Sequence, residues 1–115
     1  MATTLPASAA AYIQATNNHD AGAFIALFAD SAVVNDNGRE FRGLEAIKAW
    51  SAREIIAAEV TLEVLDAVVR GGEVVITTKV DGNFDRTGLP DPVIINHQIT
   101  VEGDRISGLT CRLAG

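Results

Sequence analysis

Hydrophobic side chains in this chain recur about every 3.6 residues up to Ala58 and about every second residue beyond it. A chain patterned in that way carries helices that need an apolar surface to cover and strands that supply one. That combination defines an α+β domain with helices on one face of a bent sheet. Before the change of period, Pro6 opens a helix running to about Asn17, with Ala9, Tyr12, Ile13 and Thr16 on its apolar side. Asn17-Asn18-His19-Asp20 is a turn, and Asp20 is an N-cap for a second, short helix with the stripe Phe24, Leu27 and Phe28. Asp30-Ser31 breaks that helix, and a short strand at Val33–Asp36 follows. Asn37-Gly38 then turns the chain tightly into Arg39-Glu40-Phe41. Gly43 opens a third helix, with Leu44, Ile47 and Trp50 on one side and Lys48 and Arg53 outward.

Past Ala58, Val60, Leu62 and Val64 alternate with Glu59, Thr61 and Glu63. Arg70-Gly71-Gly72-Glu73 is a hairpin turn and Val74–Asp81 the return strand. A long loop, Gly82–Pro92, precedes a second hairpin made of Val93–Glu102, Gly103-Asp104 and Arg105–Leu113. The expectation is three helices, a short strand and a four-stranded antiparallel meander in one domain, residues 1–115.

A length of 115 residues suits one core, and with aromatics at only 5% that core is aliphatic. A net charge of −6 and a pI of about 4.7 speak against nucleic acid and anionic membranes as partners, because their phosphates would repel the chain. The one cysteine, Cys111, excludes an internal disulfide and fits a reducing, cytoplasmic setting. The start Met-Ala-Thr-Thr-Leu-Pro has no basic region or long apolar run, so neither secretory signal nor membrane span is expected. His19 and His97, the only histidines, lie far apart without metal-ligand spacing. No Gly-rich phosphate cradle, nucleophile elbow or dinucleotide fingerprint is present, so no cofactor is expected.

The element order, and most of all Tyr12 to Gly38 with Ala-Leu-Phe-Ala-Asp followed by Ala-Val-Val-Asn-Asp, resembles the nuclear-transport-factor-2-like superfamily in its ketosteroid isomerase and SnoaL-like branch. The resemblance implies a cone: three N-terminal helices packed on a curved, mainly antiparallel sheet, with a pocket between. It also implies cofactor-independent proton transfer on a small apolar carbonyl compound. A carboxylate moves the proton while two donors hold the enolate oxygen. By position, Asp36 matches the base and Tyr12 one donor. Each has a plainer reading, Asp36 as a turn former beside Asn37-Gly38 and Tyr12 as a core residue with a satisfied hydroxyl. The chain as a whole has a second reading too, a binding or dimerisation module without turnover.

The second donor stays open between two neighbours. A gapless match puts Asn96 there. Strand phase puts His97 there, since His97 shares a face with Ile95, Ile99 and Val101 while Asn96 shares the other with Gln98 and Thr100. His97 serves as a neutral donor, a second acid/base or a core histidine. Phe28, Val34, Ile47, Trp50, Leu109, Cys111 and Leu113 are the expected pocket walls. Ser51 falls where isomerases place a bracing tyrosine, and Cys111 lies near the position of an acid/base aspartate in SnoaL-like cyclases. The outward phase of the late strands, Ile94, Asn96, Gln98, Thr100, Thr110 and Arg112, suggests a homodimer interface.

Overall fold

Helices cover one side of a six-stranded sheet whose strand order is β2-β1-β6-β5-β4-β3. The computed structural model describes residues 5–85 and 87–114. Among these the order is α1 (Ala7–Asn17), α2 (Ala21–Ala26), β1 (Phe28–Asp36), β2 (Arg39–Arg42), α3 (Gly43–Ser51), a π-helical turn (Ala52–Ile56), β3 (Thr61–Arg70), β4 (Glu73–Asp81), β5 (Val93–Glu102) and β6 (Arg105–Leu113). The fold is α+β, with the helices on a curved and mostly antiparallel sheet, as the sequence implied.

Local chemistry explains most of the boundaries. Pro6 takes the N-cap position of α1, and its carbonyl accepts the first helical bond, from Ala10 N–H at 2.9 Å. The Asp20 side chain caps α2 by accepting from Ala23 N–H at 3.0 Å. Asn37 and Gly38, at φ 50° and 93°, make the tight turn between β1 and β2, where Asn35 Oδ1 also accepts from Gly38 N–H at 2.9 Å. The Asn17 side chain acts as a piece of strand. It donates to Leu62 O at 3.1 Å and accepts from Leu62 N–H at 2.6 Å, tying the end of α1 to β3.

Several details depart from the sequence reading. Phe28 opens β1 instead of closing the helical stripe of α2, and Asp30-Ser31 is an exposed irregularity inside the strand, between Phe28 and Val33. Arg39–Arg42 is itself a strand, paired antiparallel with β1. β1 also runs parallel to β6, with Val34 opposite Leu109 and Asp36 opposite Cys111. In β3 the expected alternation buries Leu62 but leaves Val64 38% exposed, although Val64 stays in phase opposite buried Thr78; β3 is an edge strand, and its register slips just beyond Val64.

The core lies between the helices and the sheet. A run of rings crosses it, with Tyr12 5.6 Å from Phe24, Phe24 5.3 Å from Phe28 and 6.3 Å from Trp50. No helix among the described residues is long and apolar enough to cross a membrane.

Candidate active site

The pairing of strands places one row of side chains across the inner face. Asp36 on β1 stands opposite Cys111 on β6, which stands opposite His97 on β5, which stands opposite Ile76 on β4. The turn after Asp36 is pinned to the same place by Asn37 N–H donating to Cys111 O at 2.9 Å and by Leu113 N–H donating to Asn37 Oδ1 at 3.1 Å. α1 lies over this row and brings in Tyr12, and α3 brings in Trp50. Together they border a cavity of about 400 Å³, within the usual range for small-molecule sites.

Asp36, Tyr12, His97, Trp50, Cys111 and Leu113 all line this cavity. Phe28, Val34, Ile47 and Leu109 do not. They are fully buried in the core instead, because Val34 and Leu109 occupy the next inward row of β1 and β6, where α3 packs directly on β1. Asn96 faces the other side of the sheet and accepts from Thr77 Oγ1 at 2.8 Å, whereas His97 is buried toward the cavity. The strand phase, not the gapless match, describes this geometry.

Two polar clusters meet in the cavity. In the deeper one, the Tyr12 hydroxyl is 2.9 Å from His97 Nδ1, and His97 Nε2 is 2.9 Å from Thr78 Oγ1. Cys111 Sγ is 3.7 Å from the same Nδ1. Burial lowers the His97 pKa to about 4, so the ring is neutral near pH 7. Burial pushes the Cys111 thiol up to about 12, with the Asp36 charge adding to it. The Tyr12 phenol is raised well above its ordinary range, first by burial and then by Cys111 and Asp36. All three groups therefore hold their neutral forms at neutral pH.

The outer cluster is charged. Arg39 donates to Asp36 Oδ2 at 2.7 Å and makes a two-point pair with Glu54, Nη1 to Oε2 and Nη2 to Oε1, each at 2.8 Å. The Trp50 indole N–H also donates to Asp36 Oδ2, at 3.1 Å. The hydrogen bonds to Glu54, then those to Asp36, strengthen the hold of Arg39 on its proton, and Arg39 in turn lowers the Glu54 pKa. Both of these side-chain donors to Asp36 converge on Oδ2.

Arg39, Glu54 and Thr78 escaped the sequence reading. Arg39 and Glu54 meet only because the β1–β2 turn and the π-helical turn bring them together, and Thr78 looked like any inward threonine of a strand. Phe84 and Leu89 also line the cavity. Their signal was visible, as apolar residues inside a Gly- and Pro-containing loop have no local reason to be there. Among the described residues, no group of three or more His, Cys, Asp or Glu is placed to hold a metal ion.

Helices over a bent sheet, with a carboxylate and a tyrosine facing one cavity, make this a domain of ketosteroid-isomerase-like fold. Residues 9–109 match the SnoaL-like domain, and the chain belongs to that family. It is 30% identical to a proposed polyketide cyclase from Sinorhizobium meliloti, over 94% of this chain and 95% of that one, with a TM-score of 0.83. A protein with a ketosteroid isomerase-like fold from Catenulispora acidiphila, solved in complex with trimethylamine, is 25% identical over 95% of this chain and 86% of that one, with a TM-score of 0.80. A protein from Sphaerobacter thermophilus is 30% identical over 94% of each chain, with a TM-score of 0.76. Comparison with curated proteins gives no match.

Proposed function

We propose that this protein catalyses cofactor-independent proton transfer on a small, largely apolar carbonyl compound, in the manner of an isomerase. One observation carries the reading: Asp36 and the Tyr12–His97 pair border the same cavity, which has aliphatic walls from Val60, Leu62, Val80 and Ile95. Asp36 Oδ1 takes the proton from the carbon beside the carbonyl and returns it further along the substrate. Tyr12 donates to the oxygen as negative charge builds there, and water exclusion strengthens that bond. His97, being neutral, backs Tyr12 as a hydrogen-bond partner and does not compete as a cation.

Asp36→Asn should abolish isomerisation of small enones with little loss of stability, and Tyr12→Phe should slow it roughly a hundred- to a thousandfold. No turnover by the wild-type protein on a panel of small enones and steroids would sink this reading.

A second reading, a binding module without turnover, draws on a different observation. Asp36 already receives two hydrogen bonds at Oδ2, and Arg39 links it to Glu54 across the mouth. The trimethylamine complex of the Catenulispora relative supports a small-molecule pocket without implying chemistry. Retention of an apolar ligand with no conversion favours this second reading.

A further inference from the structure

Thr78, His97 and Tyr12 form a buried chain in which every contact needs one proton, and there are two ways to distribute them. Thr78 is fully buried on β4, with Oγ1 2.9 Å from His97 Nε2 and 3.3 Å from the carbonyl of Ile95. Each hydroxyl has one proton to give, and a neutral imidazole has one N–H. In the first arrangement Tyr12 donates to Nδ1, Nε2–H donates to Thr78, and Thr78 donates to Ile95 O. All three bonds lie within the protein. In the second, Thr78 donates to Nε2, Nδ1–H donates to the Tyr12 oxygen, and the Tyr12 proton turns to the cavity. Two bonds then lie within the protein, and the third needs an acceptor on a ligand. Cys111 Sγ, 3.7 Å from Nδ1, is a weak partner in either arrangement.

Without a ligand the first arrangement has the higher internal count. Water in the cavity can donate to Tyr12 or accept from it, so it leaves that balance unchanged. The bond that separates the two arrangements, from Thr78 to Ile95 O, is the longest of the set, and a good acceptor beside Tyr12 outweighs it.

We propose that Thr78 is a positioning residue that acts through the tautomer of His97 and sets whether Tyr12 meets a ligand as acceptor or as donor. The ligand-free pocket offers a Tyr12 lone pair. A carbonyl or enolate oxygen turns the chain round and is met by the Tyr12 proton. The turn-round takes one proton off Nε2 and puts one on Nδ1 by exchange with water, with no change in net charge. This inference deepens the proton-transfer reading, which requires Tyr12 to donate at the substrate oxygen.

The test is proton–nitrogen correlation NMR on histidine-labelled protein at neutral pH, which reads the His97 tautomer directly and requires no turnover. Wild type without ligand should be mainly Nε2–H. Thr78→Val removes the acceptor for Nε2–H, and a stranded buried donor is the costlier defect, so this variant should be mainly Nδ1–H. Thr78→Ser should restore the wild-type tautomer, which a purely structural role for Thr78 does not predict. Cyclohexenone at saturation, with occupancy read from the Trp50 indole signal, should move wild type to Nδ1–H and leave Thr78→Val unchanged. Thr78→Ala makes the same comparison if the valine variant fails to fold. Wild type that is Nδ1–H without ligand, or that shares its tautomer with the Thr78→Val protein, overturns the proposal. So does an unmoved tautomer in a sample with cyclohexenone bound. Absence of isomerase activity would overturn only the proton-transfer reading and leave the tautomer result standing.

Discussion

Burial holds the His97 ring neutral down to about pH 4, while an ordinary imidazole takes its proton near 6.5. Between those values the unfolded chain binds a proton that the folded chain refuses, so stability falls as pH falls through that window. The full penalty is on the order of 3 kcal/mol. Tyr12 and Cys111, the neighbours whose pKa values are raised, stay neutral throughout and add no slope there. Carboxylates titrate in the same region, so the informative measurement is a difference. Urea unfolding near neutrality and near pH 4 should show a steeper loss in wild type than in His97→Gln. Equal slopes would mean that His97 is protonated in the folded protein. At this scale the candidate site was partly legible. Tyr12, Asp36 and His97 stood out by residue type, position and phase, whereas Thr78 and Arg39 became visible only through their partners.

Two joints between elements carry testable weight. Asn17 makes two bonds to the backbone of Leu62, and Asn17→Ala strands the Leu62 N–H beside a helix end. The expected loss is about 1–3 kcal/mol, and hydrogen exchange at Leu62 should quicken in the variant. Gly82 begins the loop that carries Phe84 and Leu89 to the cavity, with φ 150°. A β-carbon there would lie 2.9 Å from Ala58 O and 3.1 Å from Val60 Cα, both backbone atoms that cannot easily yield. Gly82→Ala should therefore destabilise by roughly 1–3 kcal/mol. A thermal midpoint equal to wild type would show that the loop has room to shift. Neither joint was readable in advance, because each couples a residue to a backbone distant in the chain.

On the molecular scale, the helices cover one face of the sheet and leave the other to solvent or to a partner. Cross-strand register sets Val75, Gln98 and Thr110 in one row, with Thr77 and Asn96 hydrogen-bonded in the next. These side chains are half-buried and uncharged, and the row of Thr77 and Asn96 ends on the exposed, charged Arg112. We propose that this face joins two copies as a homodimer, since a polar, self-complementary patch suits a two-fold contact. Light scattering at micromolar concentration should give twice the 12.1 kDa chain mass. A monomer mass would refute the assembly.

Periodicity in the sequence was enough to determine where the three helices lie, the four-stranded meander of β3 to β6 and the inward phase of His97. Those features depend on side chains a few residues apart, whose spacing must match a helix turn or a strand pleat. The parallel pairing of β1 with β6 has no such local signature, because its partners lie at opposite ends of the chain and no turn links them. That pairing brings Asp36 beside Cys111, and thereby within the same cavity as Tyr12. Four of the seven expected cavity walls were misjudged for the same reason. Phe28, Val34, Ile47 and Leu109 are apolar and inward, as read, but whether an inward residue meets a cavity or another side chain depends on how closely the layers pack around it.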